Sequence, residues 1–198
     1  MRSVLVGLLV LFGTAFPAPS QAAPCHPAEL FVTDDAAPLF ELQADATIAG
    51  NGIAVTGSTP LDGVYWSTRS QRLTFERSRE FHLCTADQPT LHSAAEAVRR
   101  QFNQESVLSF EYLPQRAPED NAIIVTIPDV EAARLGDALA TDPTARTRLR
   151  GGSVTTTDHT LILVANQDDR DIARRLIGEA GGNWDAATIA WGRSEFVG

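Results

Sequence analysis

The sequence predicts an α+β fold in which a β-rich hairpin region precedes a mixed region of helices and strands. Two observations predict this. Short β-prone runs joined by turn residues fill the chain up to residue 88, and the spacing of apolar residues becomes helical from Pro89 onward. We therefore divide the chain into residues 1–22, 23–88 and 89–198, with the alternative that the last two form one continuous domain.

Residues 1–22 have the pattern of a cleavable signal peptide. Arg2 gives a positive start, an apolar run follows from Val4 to Phe16, and Ser20 and Ala22 are small residues of the kind that a signal peptidase recognises. The run is shorter than the about 20 residues that a membrane-spanning helix needs. We expect export, cleavage after Ala22 and no membrane span in the mature chain.

The first structural region should contain two hairpins. Asn51-Gly52 between β-prone runs predicts one of them, and a longer loop joins the strands of the other. A later strand alternates polar and apolar residues, which places His82 and Cys84 on one face. The predicted strands are Leu30–Val32, Asp45–Ala49, Ile53–Thr56, Val64–Trp66, Leu73–Phe75 and Glu80–Cys84.

Beyond Pro89 the pattern alternates between helices and strands. A helix with Thr90 as its N-cap precedes a strand over residues 107–112, and residues 122–197 then follow the order β-α-β-β-α-β. This is the order of a ferredoxin-like two-layer sandwich. Its predicted elements are Ala122–Ile127, Asp129–Ala140 with a short helix restarting at Pro143, Ser153–Thr156, Thr160–Ala165, Asp168–Ala180 and Ala187–Phe196.

The composition excludes several classes of function. The 25 acidic residues outnumber the 16 basic ones, all of them arginine, and the net charge is −9. A nucleic-acid-binding protein would need a basic surface, so we expect no nucleic-acid partner. No phosphate-binding loop, nucleophile elbow or zinc-protease motif is present in the sequence. We predict no cofactor.

The two cysteines, Cys25 and Cys84, are predicted to form a disulfide, since an exported chain folds in an oxidising compartment. The alternative is a metal site in which both thiolates act together with His26 and His82. Adjacent ligands such as Cys25 and His26 rarely reach one tetrahedral ion, and this favours the disulfide.

Acid–base chemistry has three candidate residues, namely His82, His159 and Asp158. A carboxylate that orients an imidazole is part of a general-base arrangement, and Asp158 adjoins His159. The alternative is that Asp158 and His159 simply form a hairpin turn, for which both residue types are suited.

A short basic stretch is the candidate ligand-binding site. Arg146 and Arg150 are four residues apart, so they would share one face of a helix, and arginine suits carboxylates or phosphates. Together with Trp191 they could bind an anionic ligand or a protein partner. The alternative is a solvated, charge-balancing face.

The sequence as a whole predicts a secreted, disulfide-stabilised, non-catalytic binding or interaction protein. One alternative is a small secreted hydrolase that uses a histidine and a carboxylate. The other is an extracytoplasmic metal-binding protein that uses His26, His82 and the cysteine thiols.

Overall fold

The protein has an α+β fold, seen in a computed structural model that describes residues 25–34, 37–62, 64–66, 72–74, 77–85 and 87–198. The predicted signal peptide, residues 1–22, lies outside the described residues. The strands are β1 His26–Thr33, β2 Ala54–Leu61, β3 Val64–Trp66, β4 Arg72–Thr74, β5 Ser78–Thr85, β6 Val107–Tyr112, β7 Ala122–Ile127, β8 Gly151–Val154, β9 Leu161–Asn166 and β10 Thr188–Val197. The helices are α1 Phe40–Gly50, α2 Gln88–Gln101, α3 Ala132–Thr141, α4 Pro143–Arg148 and α5 Arg170–Glu179.

All ten strands form one antiparallel sheet in the order β2-β5-β1-β6-β10-β7-β9-β8-β3-β4. The first eight strands of this order, β2 to β8, form a closed sheet. Leu61 at the end of β2 bridges to Thr155 after β8, and the Asp62 amide donates to the Val154 carbonyl at 2.8 Å. The sheet therefore encloses an interior.

The two halves of the chain repeat one connectivity. β1, α1, β2, β5, α2 and β6 make a β-α-β-β-α-β unit whose strands lie in the order β2-β5-β1-β6. In the second half, β7, β8, β9 and β10 lie in the corresponding order β10-β7-β9-β8, with two helices, α3 and α4, after the first strand. The fourth strands of the two units, β6 and β10, pair with each other. One sheet therefore contains strands from both sides of the predicted boundary at residue 88.

Three apolar cores follow from this arrangement. Two of them pack helices against the outer face of the sheet, one in each half of the chain. The third contains strand residues alone and lies inside the closed sheet. Its buried members are Phe31, Leu61, Leu108, Phe110, Ala122, Ile124, Ile162 and Val164.

The predicted hairpin at Asn51-Gly52 is wrong, because residues 40–50 form helix α1. Phe40, Ala44 and Ile48 recur every four residues and are buried in the N-terminal core, which is the spacing of a helix face. Asn51 and Gly52 end this helix, and Gly52 has a φ of +84°, which glycine adopts without strain. The β-rich description of the first region therefore misses one helix.

The other hairpin and the C-terminal elements agree with the prediction. β3 pairs with β4, and β8 pairs with β9 across the turn that contains Asp158. Helix α2 begins at Gln88, three residues before the start that a Thr90 N-cap implies, and its N-cap is Asp87. The Asp87 side chain accepts from the Thr90 amide at 2.9 Å.

The predicted disulfide between Cys25 and Cys84 is present, with Cα atoms 5.1 Å apart. It ties the residue preceding β1 to β5, the strand that pairs with β1. Both thiols are consumed, so the alternative metal site built on them is not formed. Among the described residues, no helix is long and apolar enough to cross a membrane.

Candidate functional site

A pocket of about 380 Å³ opens at one end of the closed sheet. β1, β2, β5 and β6 form one wall, and β7, β9 and the turn between β8 and β9 form the other. Two isoleucines of the interior core also line it. The lining residues are Glu29, Thr59, Glu80, His82, Tyr112, Ile124, Thr126, Thr155, Thr157, Asp158, Thr160 and Ile162.

The register of the strands brings the titratable residues of one wall together. Glu29 on β1 is the direct cross-strand partner of His82 on β5. Glu80 precedes His82 by two residues and therefore projects from the same face of β5. One oxygen of each glutamate and one ring nitrogen of His82 lie within 4.8 Å of one another.

A chain of hydrogen bonds runs through His82. Its Nδ1 lies 2.8 Å from Glu29 Oε2, and its Nε2 lies 2.8 Å from Thr59 Oγ1. The Tyr112 hydroxyl donates to the other Glu29 oxygen at 3.1 Å. The hydrogen bond to Glu29 is the main cause that raises the pKa of His82, and this outweighs the partial burial of the ring, which acts in the opposite direction.

Glu80 is the most perturbed carboxyl of the pocket. The residue is only 4% exposed. Burial, reinforced by the negative charge of Glu29, raises its pKa to about 8. At neutral pH the Glu80 carboxyl therefore holds a proton, unless a cation in the pocket replaces it.

Burial also acts on the tyrosine. Loss of solvent raises the pKa of Tyr112, and the neighbouring glutamates raise it further. The tyrosine hydroxyl therefore stays protonated and serves as a hydrogen-bond donor to Glu29.

The opposite rim is a turn rich in threonine. Asp158 accepts hydrogen bonds from the hydroxyls of Thr155, Thr157 and Thr160. These bonds, the one from Thr155 above all, hold the pKa of Asp158 below its usual value. Asp158 thus adds a negative charge to the rim of the pocket.

The candidate acid–base residues are only partly brought together. His82 and Asp158 line the same pocket, whereas His159 has its Nδ1 3.7 Å from Glu131 on the surface. A second histidine–glutamate pair, His92 and Glu195, lies at 3.0 Å outside the pocket, with His92 exposed and Glu195 half-buried. The pocket therefore distinguishes His82 from the other described histidines.

The arginine stretch makes contacts within the protein. Arg146 donates to the Ala140 carbonyl at 3.0 Å, which is a contact with the end of α3. Arg150 donates to Asn166 Oδ1 at 2.8 Å and to the Ser194 carbonyl at 3.2 Å. Arg148 forms an ion pair at 2.5 Å with the fully buried Asp169.

Trp191 does not extend this stretch into the pocket. It is half-buried against the C-terminal helical core, on the outer face of the sheet. Neither Trp191 nor any of the arginines lines the pocket.

Sequence reasoning found His82 and Asp158 but missed Glu29, Glu80 and Tyr112. The available signal was the position of Glu29 in an otherwise apolar run from Ala28 to Val32. A charged residue at such a position is exceptional in a buried strand. Glu80 carries the same signal at a lower strength, because Arg79 beside it resembles an ordinary ion-pair partner. Arg79 instead contacts Asp34 and Glu41.

Comparisons with known proteins identify no relative. No family model and no curated protein match the chain. An unknown protein from Galdieria sulphuraria is similar in structure, with 11% identity, a TM-score of 0.33, and coverage of 84% of this chain and 98% of that chain. The regulatory subunit of aspartate kinase from Thermus flavus has 12% identity, a TM-score of 0.32, and coverage of 79% and 94%. Likeness at this level carries no argument about function.

Proposed function

We propose that the protein is an exported binding protein whose pocket takes a small, positively charged ligand. Export is supported by the signal-like pattern of residues 1–22 and by the disulfide, a bond typical of proteins outside the cytoplasm. The ligand is inferred from one observation, the convergence of Glu29, Glu80 and Asp158 on a single pocket.

The charge balance of the pocket supports a cation. Its lining includes three carboxyl groups and His82, and none of the arginines in the described part of the chain belongs to the lining. An anion would be repelled, and a cation would stabilise the ionised carboxylates that burial disfavours. The volume of about 380 Å³ lies at the lower end of the roughly 300–1,000 Å³ usual for small-molecule sites.

We further propose that each half of the chain is a ferredoxin-like unit. The element order and the strand order of each half support this. The pocket would then lie inside the closed sheet that the two units share, where strands from both halves contribute to its walls.

The proposal is tested by measuring thermal stabilisation of the purified, oxidised protein with cations and anions of matched size. We expect ethylenediamine, choline or divalent metal ions to raise the melting temperature, and acetate or phosphate to leave it unchanged. Glu29→Gln should remove the effect. Glu195→Gln changes the second histidine–glutamate pair, which lies outside the pocket, and should retain the stabilisation by cations. Preferential stabilisation by anions, or full binding by Glu29→Gln, would refute the proposal.

A hydrolase is the second function that a specific observation favours. In the neutral His82 ring, Nδ1–H donates to Glu29 and Nε2 accepts the Thr59 hydroxyl hydrogen, both at 2.8 Å. A carboxylate, an imidazole and a hydroxyl in this order can activate the hydroxyl as a nucleophile. The test is the hydrolysis of p-nitrophenyl acetate. Loss of this activity in Thr59→Val and His82→Asn, with retention in His92→Asn, would support a hydrolase. Equal rates in all four proteins would exclude it.

The anionic ligand or protein partner predicted at Arg146 and Arg150 is a separate proposal. A partner there would have to compete with the contacts that these side chains make to Ala140, Asn166 and Ser194.

A further inference from the structure

We infer that Glu29, Glu80 and His82 form a binding site for a divalent first-row transition-metal ion. The inference rests on the proposed function, namely a cation in this pocket, and it names the class of cation. The ligands would be one oxygen from each carboxylate and one nitrogen of the imidazole.

The distances suit a single ion. Metal–ligand bonds to imidazole nitrogen and carboxylate oxygen are about 2.0–2.2 Å long, so two donors on one ion are separated by at most about 4.4 Å. The three donor atoms lie within 4.8 Å of one another, so the widest separation has to shorten by at most about 0.4 Å. The 2.8 Å contact between His82 Nδ1 and Glu29 Oε2 has to lengthen by only a few tenths of an ångström to admit the ion.

The environment of the Glu80 carboxyl is a second observation that points to a ligand. It is 4% exposed and lines the pocket. Among the residues that the structure describes, no hydrogen bond to its carboxyl is found. Buried carboxylates are ordinarily paired or bound to a metal, and the hydrogen-bond chain of Glu29, His82 and Thr59 does not involve Glu80. A metal ion would give Glu80 a partner and would account for two glutamates beside one histidine.

The hydrogen bonds that His82 and Glu29 make to Thr59 and Tyr112 are of the kind that orients the ligands of metal sites. Nδ1 of His82 faces Glu29, so it is the ligating nitrogen, and Nε2–H would donate to Thr59 Oγ1 at 2.8 Å. Tyr112 holds the second oxygen of Glu29 at 3.1 Å. Such outer hydrogen bonds fix the orientation of a ligand before the ion arrives.

The donor set selects the kind of ion. One imidazole nitrogen together with two carboxylate oxygens suits Zn²⁺, Mn²⁺ or Fe²⁺, whereas Ca²⁺ and Mg²⁺ prefer oxygen alone. Three protein ligands leave at least one position open toward the pocket, where water or an oxygen of a small molecule could bind.

Titration of the EDTA-dialysed, oxidised protein with ZnCl₂ and MnCl₂ by isothermal calorimetry tests the inference. We expect one ion per chain, a Kd in the micromolar range or below, and binding of MgCl₂ at least tenfold weaker. His82→Asn and Glu80→Gln should each weaken Zn²⁺ binding by at least about tenfold. His92→Asn, the matched control at the pair outside the pocket, should bind like the wild type. Circular dichroism of every variant verifies folding.

The outcomes separate the inference from the proposed function. Unchanged Zn²⁺ and Mn²⁺ affinity in both His82→Asn and Glu80→Gln overturns the metal site. Binding of ethylenediamine or choline without metal binding overturns the metal site and leaves the cation pocket standing. Binding of neither class overturns both. Conversely, binding of Co²⁺ with visible absorption bands that His82→Asn abolishes, and His92→Asn preserves, supports the site directly.

Discussion

Replacing Glu80 with glutamine should flatten the dependence of stability on pH. Glu80 is 4% exposed, and burial beside Glu29 raises its pKa from the ordinary 4.5 to about 8. Between these two values the folded protein keeps a proton that the unfolded chain has released. The folded state therefore loses stability as pH rises through this interval. Glutamine has nearly the same shape and is neutral throughout.

The size of the effect follows from the two pKa values. Each pH unit of difference corresponds to about 1.4 kcal/mol, so the interval from 4.5 to 8 gives an upper limit of about 5 kcal/mol. The raised pKa of His82 acts with the same sign, because stability from its folded-state proton is also lost as pH rises. We expect a decline of about 2–4 kcal/mol in the wild type between pH 5 and pH 8, most of it absent from Glu80→Gln.

Urea denaturation in EDTA at half-unit pH steps measures this decline without interference from metal ions. Glu195→Gln is the matched control, because Glu195 also contacts a histidine but is far less buried than Glu80. Its profile should parallel that of the wild type. Profiles of wild type and Glu80→Gln that stay parallel within about 0.5 kcal/mol would refute the reasoning, since Glu80 would then titrate alike in the folded and unfolded states.

Two further predictions concern the fold. Gly192→Ala should destabilise the protein by about 2–3 kcal/mol in urea denaturation, because a Cβ there would lie 2.1 Å from the Glu111 carbonyl oxygen. Gly178→Ala is the control, since Gly178 has open space around it, and it should be neutral or slightly stabilising. Equal effects of the two substitutions would contradict the prediction. Reduction of the Cys25–Cys84 disulfide should lower the free energy of unfolding by about 2–4 kcal/mol, with no effect of reductant on the double serine variant.

The sequence predicts a helix or strand correctly where its apolar residues recur at regular spacing. It fails where local residue preferences favour a different structure. The stripe of Leu91, Ala94 and Val98 is apolar at helical spacing, so α2 was found with nearly correct bounds. Helix α1 was missed because Asp45–Ala49 contains β-branched residues and precedes Asn51-Gly52. Packing of Phe40, Ala44 and Ile48 in the N-terminal core outweighs that local preference.

Of the residues on the glutamate-rich wall of the pocket, the sequence predicts only His82, which the pattern of a single strand identifies. His82 stood out because of its residue type and its place on an alternating strand. Its hydrogen-bond partners, Glu29 and Thr59, come from β1 and β2, and the pairing of β1 with β5 joins residues 53 positions apart. Local patterns carry no information about such pairing, and the closure of the sheet at Leu61 and Thr155 is equally non-local.

The contrast between two buried glutamates separates a structural role from a functional one. Glu111 is 7% exposed and forms an ion pair with Arg193 at 2.5 Å on the outer face of the sheet. Glu80 is buried to a similar extent inside the closed sheet, where Glu29 raises its pKa and His82 lowers it, and burial is the largest cause of the net rise. Removing Glu111 leaves an arginine without its partner, so Glu111→Leu should destabilise the fold.

Glu80→Leu should have the opposite effect and stabilise the metal-free protein by about 1–4 kcal/mol at pH 8, while abolishing Zn²⁺ binding. Urea denaturation and calorimetry of both variants measure the two effects. Destabilisation by Glu80→Leu comparable to that of Glu111→Leu would mean that Glu80 serves the fold. Stabilisation means that the fold carries the buried Glu80 at a cost in free energy, which is expected of a binding site and not of a packing residue.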